Sequence, residues 1–195
     1  MLTLCIDTAY KYLTVALIKD NELLSFYSEE ANKSQSEKVF GAIDEVFSKG
    51  NIDRLSIDSI CISEGPGSYT GTRIAMTIAK VLCKVQNIDL YTISTLRLYA
   101  NNKENTMVIM DARANRVYCG VFNNGEIIED DHIEFLDKLD VKEYKLVGDL
   151  NLINKEDIKP NIPECFLNTK SYWLKVNNID YVVPKYLKES DSYYR

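Results

Sequence analysis

The stretch SEGPGSYTGTR, residues 63–73, lies between two apolar segments. The apolar run before it predicts a buried strand, and the long apolar segment after it predicts a helix that begins near Thr72. We call residues 65–71 the glycine loop. Its three glycines and one proline indicate tight turns and close backbone approach, and amides ahead of a helix can hold an anion. The spacing G-x-G-x-x-x-G matches neither a dinucleotide fold nor a P-loop. It favours a structural turn over a phosphate site, with Gly65 and Gly67 kept as weak candidates for cofactor contact.

The chain contains two similar strand patterns. The first predicts strands at 2–7, 12–18 and 23–27, and the second repeats it at a constant offset of 104 residues, which places Asp7 on Asp111. Two three-strand meanders, each opening with a strand that ends in aspartate, suggest an internal duplication. Chance similarity between two meanders is the alternative.

The order of elements predicts the fold. A helix capped by Ser34 or Ser36 and stopped by Gly50 follows the first meander, and strands at 59–63 and 90–93 enclose the glycine loop and its helix. This order is that of the ribonuclease-H-like lobe, which is duplicated in actin, sugar kinases and Hsp70 (the ASKHA fold). We therefore predict an α/β fold of mixed sheets flanked by helices, with the second lobe truncated.

The second half of the chain is shorter. We expect an N-terminal lobe at 1–101 and a C-terminal lobe with its tail at 102–195. Within the latter, the pattern predicts a weak helix near 131–139, a strand at 144–147 and a docking tail at 181–187. The polar stretch before Trp173 shows no long period.

Composition excludes several classes of protein. The 195 residues are 46% hydrophobic and 27% charged, as in an ordinary globular protein, and no apolar run reaches the ~20 residues of a membrane helix. A net charge of −6 argues against strong direct binding of nucleic acid. A zinc site is improbable, because the five cysteines include no CxxC pair and the one histidine, His132, lies in an acidic surface segment. We expect a cytoplasmic protein that does not bind a membrane.

The two aspartates Asp7 and Asp111 are weak candidates for a nucleotide or metal site. In nucleotide enzymes of this fold, glycine-bearing turns follow the first strand of each lobe, but the turns at 7–9 and 111–115 contain no glycine. Side chains there would keep a phosphate from the backbone amides. The carboxylates could still bind Mg²⁺ through water, yet a metal site without a phosphate cradle makes a poor ATPase.

Five segments resemble the signature of the bacterial TsaB (YeaZ) family: the glycine loop, YTISTL at 91–96, the opening LCIDTA at 4–9, MDAR at 110–113 and PKYL at 184–187. The resemblance spans nearly the whole chain. It implies a role in making N6-threonylcarbamoyladenosine beside the tRNA anticodon. The implied role is that of a non-catalytic subunit that binds and activates the transferase TsaD, with the ATPase TsaE joining the pair.

The resemblance also bears on cofactors and partners. It implies no cofactor on this chain, ATP or ADP and a metal on TsaD and TsaE, only indirect contact with tRNA, and a homodimer when TsaD is absent. TsaD holds its metal with two histidines and an aspartate, a set that a chain with one histidine cannot supply. Where relatives often carry a histidine ahead of Ser-Glu, this sequence has Gln35. This departure also counts against a metallopeptidase.

The helix after the glycine loop suggests a partner surface. Its polar residues recur as a single narrow stripe of Arg73, Thr77, Lys80 and Lys84, so the helix should be buried on two sides. The second side could meet a helix of the same chain or another protein, and the resemblance favours TsaD. The predicted interface residues are Val39, Phe40, Ile43, Met76, Ala79, Lys80 and Cys83. The alternative function is an ATP-dependent enzyme of the same fold acting on a small molecule.

Overall fold

Six strands form the first of two sheets in the computed structural model, which describes residues 1–31, 34–141 and 143–187. The strands, in spatial order, are β10 (Leu174–Lys175), β5 (Asp89–Ile93), β4 (Ser59–Ser63), β1 (Leu2–Asp7), β2 (Tyr12–Lys19) and β3 (Glu22–Glu30). Strands β1, β2 and β3 form an antiparallel meander, and β4 and β5 run parallel to β1. The order β5-β4-β1-β2-β3 is that of a ribonuclease-H-like lobe, as predicted.

The second sheet repeats the first in shorter form. Its strands, in spatial order, are β8 (Glu126–Phe135), β7 (Arg116–Asn123), β6 (Thr106–Arg113) and β9 (Lys145–Gly148). The offset of 104 residues places β2 on β7 end to end, and β9 runs parallel to β6 as β4 runs parallel to β1. Among the described residues this sheet has no equivalent of β5, so the duplication and the truncated second lobe are confirmed.

One predicted helix is wrong. Residues 131–135 continue β8, and only a short 3-10 turn, Leu136–Lys138, follows. The strand persists because its backbone pairs with β7 as far as Phe135 opposite Arg116, with register shifts that absorb the irregular apolar spacing. The strand predicted at 144–147 is β9.

Within the described part of the chain, four helices cover the sheets: α1 (Gln35–Gly50), α2 (Tyr69–Gln86), α3 (Thr95–Ala100) and α4 (Ile162–Asn168). Helices α1 and α2 pack on one face of the first sheet, where they bury the apolar side chains of β1, β2 and β4. Helices α3 and α4 lie on the other face, in a core that also contains side chains of the second sheet. The polar stretch before Trp173 thus contains α4, whose Ile162 and Phe166 are fully buried.

The two lobes share this second core, and the chain returns to the first lobe at its C-terminal end. The expected boundary at 101/102 falls between α3 and β6, and it stays a prediction. Strand β10 pairs with β5 of the first sheet, and residues 176–187 then run along α2. None of the described helices is both long and apolar enough to cross a membrane.

Candidate functional site

The glycine loop packs directly on the turn that follows β1. Ser68 donates its backbone N–H to the carbonyl oxygen of Ala9 at 2.6 Å. A Cβ on Gly67 would lie 2.1 Å from that same oxygen, and a Cβ on Gly71 would lie 2.1 Å from the carbonyl oxygen of Thr8. Both distances are far below any contact a side chain can make. These glycines therefore let two backbone segments touch, and the contact accounts for them without a bound anion.

The first turn of α2 is held by protein groups. The Ser68 hydroxyl accepts the N–H of Gly71 at 3.2 Å, which caps the helix. The Thr8 hydroxyl donates to the carbonyl of Gly71 at 2.7 Å and accepts the N–H of Ala75 at 3.2 Å. The turn after β1 is thus joined to α2 by side-chain as well as backbone bonds.

Gly65 is needed for a different reason. Its φ of +108° is one that residues with a side chain rarely adopt, and its peptide bond to Pro66 is cis. Its carbonyl accepts the N–H of Thr95 at 2.9 Å, at the start of α3, and a Cβ there would lie 2.6 Å from the carbonyl oxygen of Lys185. The glycine loop therefore joins β4, α2, α3 and the C-terminal segment.

Asp7 lies at the centre of this junction and is fully buried. Its carboxylate accepts hydrogen bonds from the Ser63 hydroxyl at 2.5 Å, the Tyr99 hydroxyl at 2.8 Å and the N–H of Ala9 at 3.0 Å. Burial raises the pKa of Asp7 above its ordinary 3.8, although the three hydrogen bonds oppose the shift. The structure thus places this candidate away from solvent, with both oxygens occupied by groups of β4, α3 and its own turn.

Asp111, the equivalent residue of the second lobe, is in a different environment. It lines an open cleft of about 860 Å³ between the lobes. Its carboxylate accepts the N–H of Arg113 at 2.7 Å and lies 3.2 Å from the Arg113 guanidinium. The structure thus separates the two candidate aspartates, one buried in the core and the other on the cleft wall.

A buried carboxylate, Asp149, joins the two lobes beside this cleft. Asp149 accepts hydrogen bonds from the hydroxyl of Tyr10 and from the ammonium of Lys11, both in the first lobe. It also accepts the N–H of Asp111 at 2.9 Å. Burial and the Asp149 carboxylate raise the pKa of Tyr10, which stays protonated as a donor. Sequence reasoning missed this network; the only signal was a polar residue directly after strand β9.

The sole histidine, His132, is half-buried, whereas its acidic surface segment predicts a solvent-exposed side chain. Its two ring nitrogens lie 3.3 Å from the Cys119 sulfur and 2.8 Å from the carbonyl oxygen of Asp130. Among the described residues, no three His, Cys, Asp or Glu side chains lie close enough together to hold a metal ion.

The predicted interface residues divide into two groups. Five of them are at most 7% exposed and belong to the core under the first sheet: Val39, Ile43, Met76, Ala79 and Cys83. Phe40 is 63% exposed, and Lys80 is half-buried against the C-terminal segment. The side chains of these five face this chain's own core, and Val39 also lines the groove described below, so their role as contact residues stays a prediction. Helix α2 is apolar over most of its circumference, so its sequence does not reveal which apolar residues face the sheet.

An apolar groove of about 460 Å³ runs between α1 and α2. Two aromatic side chains border it, Phe40 of α1 and Tyr69 of α2, the latter 51% exposed. The other lining residues are Ser36, Val39, Thr70, Arg73, Ile74, Thr77 and Ile78. Whether another protein occupies the groove stays a prediction.

The polar stripe of α2 is covered by the chain's own C-terminal segment. The Lys80 ammonium donates to the carbonyls of Asp180 at 3.0 Å and Val182 at 3.1 Å, and Lys84 pairs with the Asp180 carboxylate. The docking tail is thereby confirmed. This segment is a third kind of cover for α2, besides a neighbouring helix and a second protein.

Comparison with known proteins gives a consistent result. Residues 26–187 match the family model described as TsaD, tRNA N6-adenosine threonylcarbamoyltransferase. The chain is 28% identical to a Bacillus subtilis (strain 168) protein named tRNA threonylcarbamoyladenosine biosynthesis protein TsaB, over 88% of this chain and 79% of that protein. It is 30% identical to the protein of the same name from Buchnera aphidicola subsp. Schizaphis graminum, over 73% and 71% of the two chains.

Two solved structures from Pseudomonas aeruginosa share the fold. One is described as an uncharacterized protein with similarity to peptidase YEAZ. It superposes with a TM-score of 0.81 at 17% identity and covers 96% of this chain and 99% of its own. The other, described as YeaZ, gives a TM-score of 0.78 at 17% identity and covers 95% of this chain and all of its own.

Proposed function

The chain belongs to the TsaB (YeaZ) family and so to tRNA threonylcarbamoyladenosine biosynthesis, and we propose that it is the non-catalytic, activating subunit of the transferase. In this proposal it binds TsaD through the groove between α1 and α2. TsaE joins the pair, and the threonylcarbamoyl group is then transferred to the adenosine beside the anticodon. The exposed, apolar α1–α2 groove is the observation that carries the proposal.

The choice of TsaD as the occupant rests on shared ancestry. The match to the TsaD model spans 26–187 and includes both helices that border the groove, so TsaD is expected to carry a corresponding pair of helices. Two related helical faces can pack against each other around an approximate two-fold axis, as identical faces do in a symmetric dimer. The same geometry predicts a homodimer when TsaD is absent.

The non-catalytic role is supported by the environment of Asp7. Asp7 is fully buried and accepts three hydrogen bonds from the protein, so it is poorly placed to bind a metal or a nucleotide. We therefore assign ATP or ADP and the metal to TsaD and TsaE. The net charge of −6 supports indirect contact with tRNA, through the partner.

The alternative function, an ATP-dependent enzyme acting on a small molecule, is favoured by one observation. The cleft between the lobes is large enough for a nucleotide and contains Lys11 and Arg113. Both cations, however, already pair with carboxylates of this chain, Asp149 and Asp111. A nucleotide would have to displace these pairs, which makes the cleft a weaker basis than the groove.

A charge placed in the groove tests the proposal. We expect Phe40→Glu to weaken binding to purified TsaD at least roughly 30-fold, because the exposed ring would be replaced by a carboxylate that is costly to desolvate. The matched control is Phe26→Glu. Phe26 is 49% exposed, and its pairing with Ala16 puts it on the sheet face opposite α1 and α2. Unchanged affinity in Phe40→Glu, or no binding by the unmodified chain in titration calorimetry, would reject the proposal.

A further inference from the structure

We call residues 176–187, which contain a turn at 179–181, the strap. At its start, the N–H of Val176 donates to the carbonyl of Leu90 at 2.9 Å. Near its other end, the N–H of Lys185 donates to the carbonyl of Glu64 at 2.7 Å, next to the glycine loop. Between these points Ile179 and Val182 pack against the core under the first sheet. The strap is therefore fixed along α2 at both ends and by apolar contacts between them.

The far end of the strap is also tied to the second lobe. The Lys185 ammonium lies 2.9 Å from a carboxylate oxygen of Asp131 in β8, whose side chain is only 1% exposed. That same oxygen accepts the Ser94 hydroxyl at 2.5 Å. A buried carboxylate holds its cation strongly, because leaving it unpaired costs free energy. Lys185 thus fixes the position of the next residue, Tyr186.

Tyr186 completes a cluster with two residues of α2. Its ring stacks on that of Tyr69 with centroids 5.4 Å apart, and its hydroxyl lies 3.1 Å from Nε of Arg73. The Arg73 guanidinium in turn lies 4.3 Å from the centre of the Tyr69 ring. Tyr69 and Arg73 also line the α1–α2 groove, so the strap holds one wall of the groove in place.

We infer that the strap is part of the surface that binds the TsaD-type partner, with Tyr186 as a positioning residue that holds Tyr69 and Arg73 in the geometry the partner meets. The inference rests on the proposed function. Tyrosine and arginine dominate binding at protein interfaces, and a side chain ordered before binding loses less entropy on association. Tyr69 and Tyr186 are 51% and 42% exposed, so both can contact a partner while stacked.

Two variants of the full chain separate ring stacking from the hydroxyl contact. Tyr186→Ala is expected to weaken TsaD binding by roughly tenfold or more, and Tyr186→Phe, which keeps the stacked ring, by no more than about threefold. Phe26→Ala, which removes an aromatic ring of similar exposure from the opposite face, is expected to leave the affinity unchanged. Urea midpoints and far-UV spectra check that the three variants remain folded.

A double-mutant cycle tests whether Tyr186 acts through its neighbour. If Tyr186 acts through the ring stacked on it, the pair Tyr69→Ala and Tyr186→Ala is expected to lose little more affinity than the worse single variant. Additive losses would contradict positioning. Affinity within twofold of the unmodified chain in Tyr186→Ala, together with a strong loss in Phe40→Glu, would overturn the strap inference and leave the proposed function intact. Absence of binding by the unmodified chain would instead reject the proposed function.

Discussion

Gly67 offers the sharpest test of why the glycine loop exists. In Gly67→Ala the new Cβ would lie 2.1 Å from the carbonyl oxygen of Ala9 and 3.0 Å from its carbonyl carbon. Because both neighbours are backbone atoms, the loop must move by about 1 Å to restore an ordinary contact. That movement would break the 2.6 Å hydrogen bond from the N–H of Ser68 to the same oxygen.

The expected loss combines two costs. Overpacking of a tightly packed site costs about 1–3 kcal/mol. Loss of the Ser68 to Ala9 bond adds about 1 kcal/mol, and more where the freed groups stay buried. We therefore expect Gly67→Ala to lower the free energy of unfolding by about 2–4 kcal/mol, measured by urea denaturation with a common m-value.

Gly41 is the matched control, since a Cβ there meets nothing within 4 Å. It lies inside α1, where replacing glycine by alanine stabilises a helix by about 1 kcal/mol, so Gly41→Ala is expected to be neutral or stabilising. If Gly67→Ala unfolds within about 0.5 kcal/mol of the unmodified chain, the packing explanation fails. The glycine would then need another explanation, such as contact with an anion.

Two further predictions concern buried carboxylates. The folded-state pKa of Asp7 is raised above the unfolded value, near 3.8, so between these two values the folded state binds more protons and stability falls as the pH rises. The stability of Asp7→Asn relative to the unmodified chain is therefore expected to increase from pH 4 upward in urea titrations, and a difference that does not change with pH would contradict this. Lys185→Met leaves the carboxylate of Asp131 without its cation and is expected to cost about 1–3 kcal/mol, a range reduced because Lys185 is about one-third exposed. Lys175→Met removes a surface pair with Asp89 and is expected to cost less than Lys185→Met, because both partners of that pair are exposed to solvent. Equal losses in the two lysine variants would argue against the buried pair.

The sequence was informative wherever the signal is local or repeated. Each meander has a local alternating pattern, and its repetition at an offset of 104 residues predicted both. The position of the glycine loop between two apolar segments predicted a strand-to-helix junction, which also depends on residues close in the chain. The helix start was predicted three residues late. Ser68 caps α2, and the cap lies inside the stretch that we had assigned to the loop.

The candidate site was harder to predict because its contacts join distant residues. Tyr99 reaches Asp7 across 92 residues, and Tyr10 reaches Asp149 across 139, and no local pattern marks either pair. The cover on α2 was missed for the same reason, since Lys80 contacts a strap 100 or more residues away. A helix that is apolar on most sides requires burial, but its sequence does not name what covers it.

We propose that this chain activates a transferase without being one. The direct measurement is threonylcarbamoyl transfer to tRNA by purified TsaD and TsaE from the same source, with and without the chain, alongside ATP turnover by the chain alone. We expect modified tRNA only when the chain is present, and no ATP turnover or tRNA modification by the chain itself. Transfer at full rate without the chain, or ATP turnover by the chain alone, would contradict the account.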